Sequence, residues 1–224
     1  MARRKQTRGQ CNFCQKEMTR DGLVRHLSSC KGRQMAIEKA TGRPQPVYHL
    51  QIQDAMQGDF WLHIEIGAVA TLEDLDYYLR WIWLECCGHM SQFSIGGWRG
   101  EEIDKSHSIS DVFTVGGDKL THIYDFGTET QSIIKTVAIR DGKPLNENPI
   151  FLMARNIIPE VTCMECDKQA TWSCVDCMWA GETGLLCDTH YEPHEDVHSD
   201  MMLPFVNSPR TGQCGYDGPA KPPY

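Results

Sequence analysis

Eleven cysteines and nine histidines stand in this 224-residue sequence, and their spacing is its strongest chemical signal. Near the start, Cys11-x2-Cys14-x11-His26-x3-Cys30 has the spacing of a small zinc finger with three thiolates and one imidazole. A C-x-x-C turn aims two sulfurs at one point, and His26 and Cys30, four apart, share one face of a helix. Zn²⁺ takes four such ligands in a tetrahedron. Phe13, Leu23 and Leu27 are the only core this segment offers. Metal binding, on the order of 10 kcal/mol, would supply the missing folding free energy. Toward the other end runs Cys163-x2-Cys166-x7-Cys174-x2-Cys177-x9-Cys187-x2-His190-x3-His194-x3-His198, eight candidate ligands within 36 residues. Eight ligands make two tetrahedra, so about three zinc ions per chain are expected.

The spacing of the second cluster resembles the B-box and related cross-braced zinc folds, with a longer gap of nine residues before Cys187. The resemblance implies that Cys163, Cys166, Cys187 and His190 share one ion, and Cys174, Cys177, His194 and His198 the other. Pro193 argues against one helix running through from His190, yet suits the first turn of a helix beginning there, with His194 and His198 on one face. A sequential pairing is the alternative: four cysteines in one site, then Cys187 with three histidines. A closed four-ligand site leaves no position for water and is structural. An open His190/His194/His198 triad holding a water would be hydrolytic, but nearby thiolates would then stay unligated.

Charge is unevenly spread. Residues 1–43 hold 11 Lys and Arg against 3 Asp and Glu, and the remainder holds 11 against 27. Arg3, Arg4, Lys5, Arg8, Lys16, Arg20, Arg25, Lys31 and Arg33 surround the finger. A basic finger with a basic arm suits a phosphate backbone, DNA or RNA. Arg20 and Arg25 flank the expected helix start, where finger helices reach bases. One finger reads few base pairs, so shape-led or non-specific binding is expected. A solubilising charge run or a protein-binding finger is the plainer reading.

The elements that must hold these ligands fall into a basic arm and finger (1–43), a central domain (47–159), a two-zinc module (160–202) and a Pro/Gly-rich tail (203–224). Gly42-Arg-Pro-Gln-Pro46 reads as a linker. Tyr48, Leu50 and Ile52 alternate with polar neighbours, as do Phe60, Leu62, Ile64 and Ile66, with a turn at Gly58-Asp59. Thr71 opens a helix with Asp74 placed for a capping box. Leu72, Leu75, Leu79, Ile82 and Cys86 form one apolar face, and Gly88 is a stop. Strands follow near 92–95, 120–126, 132–139 and 150–155. This order predicts an α+β fold, a helix packed on a largely antiparallel sheet, flanked by two small zinc-stabilised modules. No run approaches the roughly 18 apolar residues of a spanning helix. Met1 to Gln10 lacks the apolar stretch of an export signal, so a reducing, cytoplasmic setting is expected.

Residues 47–155 resemble the plasmid pRiA ORF-three-like family of insertion-element passenger proteins. The carrying residues are the strand with Trp61, Thr71-Leu-Glu-Asp-Leu75, Leu79-Arg-Trp-Ile-Trp-Leu-Glu-Cys-Cys-Gly-His-Met-Ser-Gln-Phe93 and Tyr124-Asp-Phe-Gly127. A subgroup is also similar in its N-terminal finger and in Asn207-Ser-Pro-Arg-Thr-Gly-Gln-Cys-Gly-Tyr216. The chain departs from the family at Thr128-Glu-Thr-Gln-Ser132, where many members carry Asp-x-Trp-x-His. The resemblance implies an α+β domain and a mobile-element setting, with little mechanism. Recombinase chemistry would need clustered arginines, and this segment has only Arg80, Arg99, Arg140 and Arg155.

Other candidates have plainer readings. Tyr124-Asp-Phe-Gly127 lacks the glycine-rich and catalytic loops of a kinase and reads as a strand end with a turn. His89 after Cys86-Cys87-Gly88 admits a Cys/His catalytic pair or a further metal site, but Cys86 on the apolar helix face favours core packing. Cys214 reads as structural or simply exposed. Trp61, Trp81, Trp83 and Trp98 read as packing residues, and His49, His63, His107 and His122 show no usable spacing. The sequence therefore points to a non-enzymatic, zinc-binding adaptor that engages nucleic acid or a ribonucleoprotein through its finger and protein through its acidic remainder. The alternatives are a pure protein-interaction module and a mobile-element or defence enzyme using the central domain.

Overall fold

Strand pairing between distant parts of the chain shapes the molecule. The computed structural model describes residues 6–117, 119–198 and 201–218. Two short strands, β1 (Arg8–Cys11) and β2 (Glu17–Thr19), precede helices α1 (Arg20–Ser29) and α2 (Lys31–Lys39). There follow β3 (Gln45–Asp54), β4 (Trp61–Gly67) and helix α3 (Leu72–Leu79). Then come β5 (Ser91–Ile95), β6 (Glu101–Ile103), the short α4 (Ile109–Val112), β7 (Leu120–Tyr124), β8 (Thr130–Gly142) and β9 (Ile150–Asn156). These nine strands form one antiparallel sheet in the order β2-β1-β9-β4-β3-β8-β7-β5-β6. The fold is α+β. A second sheet, β11-β10-β12, is built from β10 (Trp172–Cys174), β11 (Leu185–Leu186) and β12 (Met202–Pro204), with α5 (Val175–Trp179) and α6 (Asp188–His198) beside it.

Side-chain alternation explains the two faces of the large sheet. Leu50, Ile52, Leu62, Ile64 and Ile66 face one core with Leu72, Leu75, Leu79 and Ile82 from the α3 side. The polar residues between them, His49, Gln51, His63 and Glu65, are buried as well. The alternating pattern predicts a solvated second face, but the finger covers it. Leu23 and Leu27 pack with Trp61, Met153 and Ala154 of the central sheet. The finger's core is thus completed by the sheet, which its own three apolar residues could not have done alone.

The sheet also crosses the segment boundaries read from composition. Gly9 and Gln10 pair with Asn156 and Arg155. The Pro-rich stretch is no free linker, since Gln45 and Pro46 open β3 opposite Gly142 and Asp141. Gly9 permits the approach of β1: a Cβ there would sit 2.2 Å from the Trp61 ring and 2.3 Å from the Arg155 carbonyl. The tail is docked too, through β12 pairing with β10 and through fully buried Ser208 and Arg210.

Two helices depart from the expected course. The Thr71/Asp74 capping box forms, with Thr71 Oγ1 accepting from Asp74 N at 3.2 Å and Asp74 Oδ2 accepting from Thr71 N at 2.8 Å. Beyond Leu79 the helix widens into a π-helical segment, Arg80–Leu84, which buries Ile82, Trp83 and Leu84 in succession. The chain leaves it extended at Glu85, so Cys86 and Gly88 lie past the helix. In α6, Pro193 sits inside a continuous helix. Candidate metal ligands lie on both sides of the proline, His190 before it and His194 and His198 after it.

Candidate metal centres

Cys11 ends β1, and Gln15 with φ 61° bends the turn that brings Cys14 back toward it. Thr19 caps α1 by accepting from Gly22 N at 3.2 Å, which sets the helix that carries His26. Cys30 lies between α1 and α2. The ligand atoms of Cys11, Cys14, His26 and Cys30 all lie within 4.8 Å of one another. Cys11 and Cys30 sulfurs are 4.0 Å apart, and Cys14 Sγ is 3.2 Å from His26 Nε2. A tetrahedral ion with metal–sulfur bonds of about 2.3 Å implies sulfur–sulfur edges of about 3.8 Å, so the spacing fits. Burial pushes the Cys11 thiol up to about 11. At Cys30 burial acts the same way, but the backbone N–H groups of Arg33 and Gly32 and the neighbouring thiols outweigh it and lower the pKa.

The second cluster divides in the interleaved manner. Cys163, Cys166, Cys187 and His190 form one group and Cys174, Cys177, His194 and His198 the other, each within 4.8 Å. In the first, Cys166 and Cys187 sulfurs are 3.8 Å apart, and His190 Nδ1 lies 3.4 Å from Cys163 Sγ and 3.5 Å from Cys187 Sγ. In the second, His198 Nδ1 is 3.2 Å from Cys174 Sγ, and His194 Nδ1 is 3.7 Å from Cys177 Sγ. The three histidines are divided between two centres, which removes the open hydrolytic triad. Trp172 stacks on Tyr191 at 4.1 Å and donates to Asp188 at 2.9 Å, which holds α6 against β10.

A fourth group forms where the sequence admits a further metal site but favours core packing, and it includes Cys214, which the sequence does not connect to the others. Cys86, Cys87, His89 and Cys214 bring their ligand atoms within 4.8 Å. His89 Nε2 is 2.9 Å from Cys87 Sγ and 3.2 Å from Cys214 Sγ, and the Cys87 and Cys214 sulfurs are 3.5 Å apart. Cys86 does pack against the central core, as its apolar spacing suggests, while its sulfur stands 3.7 Å from that of Cys87. Cys87 and Cys214 are exposed. Four Cys/His groups among the described residues could therefore hold metal ions, against the three expected. The C-C-x-H run was the only local signal, because its fourth member lies 125 residues on from His89.

The basic residues have unequal roles. Arg3, Arg4 and Lys5 lie outside the described residues. Arg33 is not a free cation: with Arg140 it binds buried Glu65, whose carboxyl lies below its usual range because these bonds outweigh burial. Arg20 bonds Gln53 and sits beside Asp21 at 3.3 Å. Arg8 lies 4.0 Å from Glu17 and donates to its carbonyl. Lys16, Arg25 and Lys31 are exposed.

Inside the central domain, Ser91, Asp76 and His122 meet in a buried knot. Ser91 Oγ and His122 Nε2 both reach Asp76 Oδ1 at 2.7 Å, and Lys105 Nζ reaches Oδ2 at 2.9 Å. Against the penalty of burial, these bonds hold the Asp76 carboxyl well below the usual range. In a hydrolase triad the imidazole bonds the serine. Here both bond the carboxylate, and His122 is fully buried, so the knot ties α3 to β5 and β7.

No family model matches the chain, so the resemblance of residues 47–155 rests on the residues quoted for it. No curated protein matches either. Among solved structures, the protein of unknown function MM3350 from Methanosarcina mazei Go1 is similar at TM-score 0.41 and 20% identity, covering 49% of this chain and 67% of that one. So slight a likeness carries no function.

Proposed function

We propose that this chain is a non-enzymatic, zinc-held adaptor whose finger engages the phosphate backbone of nucleic acid, free or within a ribonucleoprotein. What carries the first half is that three groups each gather four thiolate or imidazole ligands at tetrahedral spacing. Zinc held this way has no position left for substrate or water and acts as a fold-former. Cys11, Cys14, His26 and Cys30 would hold one ion, and the two interleaved groups at 163–198 one each. The second half rests on charge. Lys16, Arg25 and Lys31 project from the finger into solvent, and the remainder of the chain is acidic. The acidic remainder is then the side for protein partners, and exposed Tyr77 and Trp81 favour that second contact.

The test is fluorescence anisotropy with duplex and single-stranded DNA and RNA across a salt series. Affinity should fall steeply with salt, and Arg25→Glu with Lys31→Glu should reduce the logarithmic slope by about 2. An affinity indifferent to salt, or untouched by the two substitutions, would refute the nucleic-acid reading. Retention of protein partners after nuclease treatment would then favour a pure protein-interaction module.

A further inference from the structure

We propose that Cys86, Cys87, His89 and Cys214 bind a fourth ion, a thiophilic divalent cation of the zinc class, which fastens the C-terminal segment onto the central domain. This group differs in kind from the other three. Each of those closes within at most 28 residues of chain, whereas this one joins the exit of the π-helical segment to a residue far along the sequence. The spacings of 2.9–3.7 Å between its sulfurs and the His89 nitrogen bracket one small cation.

The surroundings suit such an ion. Three thiolates with a divalent cation leave one net negative charge. Arg210, fully buried, brings its Nη2 to 3.5 Å from Cys86 Sγ and answers that charge. The same guanidinium binds Asp125, whose carboxylate stands 3.4 Å from His89 Nε2. Glu85 accepts from Gly88 N and from Tyr124 Oη at 3.1 Å, which fixes the loop that presents Cys86 to His89. On the tail side, Cys214 is held at φ 49° between the left-handed Gly212 and Gly215. A cysteine in that conformation is strained and persists where the surroundings impose it. Ser208 Oγ donates to the Trp83 carbonyl at 2.6 Å, so the tail is already laid on the segment that leads into Cys86.

Two of the four ligands are exposed, so this ion exchanges with the medium faster than the other three. The experiment compares zinc per chain, by elemental mass spectrometry on protein purified anaerobically, in wild type and Cys214→Ser. A loss of one equivalent with unchanged circular dichroism supports the fourth site. No difference overturns it, whatever the total, so failure here is distinct from failure of the three-ion reading, which lowers the count in both proteins alike. Should Cys214→Ser fold poorly, the exposed Cys87→Ser decides by the same difference. A coloured chelator should withdraw one equivalent ahead of the rest from wild type, and tryptic cleavage within 205–218 should accelerate in step. A Cys87–Cys214 disulfide in the anaerobic protein would also overturn the proposal.

Discussion

Arg210 offers the sharpest test of how the tail is held. Its side chain is fully buried, and it binds Asp125, which is 5% exposed. It also bonds the Thr128 carbonyl and approaches Thr130 Oγ1 at 3.3 Å. Arg210→Met keeps most of the volume and removes the charge. Asp125 then keeps N–H bonds from Gly127 and Thr128, at 3.0 and 3.2 Å, but loses its cation. Removing one member of a buried pair costs about 3–5 kcal/mol. For a chain of this size each kcal/mol moves the midpoint by about 2–4 °C, so the melt should fall by roughly 10 °C. Adding Asp125→Asn removes the orphaned charge, so the double variant should be more stable than the sum of the single losses predicts by about 2 kcal/mol. Differential scanning fluorimetry in zinc-supplemented buffer reads both. A fall under about 3 °C, or strict additivity, would refute the buried-pair reasoning.

Two further outcomes follow from the covered sheet face. Burial beside His49 and Arg20 lowers the His63 pKa to about 4, against about 6.5 when unfolded, so the unfolded chain takes up a proton that the fold refuses. That penalty is absent above about pH 6.5, grows as pH falls toward 4, and reaches about 2 kcal/mol at pH 5. His63→Gln should therefore flatten the fall of melting temperature between pH 7 and 5 relative to wild type, with zinc loss cancelling in the difference; parallel curves would sink the argument. Gly9→Ala places a Cβ against the Trp61 ring and the Arg155 carbonyl. It should part β1 from β9 at a cost of about 1–3 kcal/mol, as for an overpacked core. The check is hydrogen exchange, in which residues 8–19 should lose protection while β7 and β8 keep theirs.

What could be read directly from the sequence was whatever closes over a short span. The ligand spacings of the finger and of residues 163–198, the Thr71/Asp74 cap and the strands of the central sheet all depend on neighbours within a few turns. Cys214 escaped because no short-range pattern links it to His89. The buried face escaped for a different reason. His49, Gln51, His63 and Glu65 are polar, and alternation alone assigns such residues to water. Only the packing of Leu23 and Leu27 on Trp61, and of Arg33 on Glu65, reverses that assignment. Arg33 was accordingly counted among the phosphate contacts when its charge is spent inside the fold.

The pairing of Gly9 with Asn156 has a consequence for biosynthesis. β1 leaves the ribosome well over a hundred residues ahead of β9, the strand it borders. At about 5–20 residues per second, the N-terminal hairpin waits some 7–30 seconds for its neighbour. Its four candidate metal ligands, by contrast, are all translated by residue 30. Cation capture can precede sheet closure, so a nascent finger would shelter Leu23 and Leu27 until the strand that completes their packing arrives.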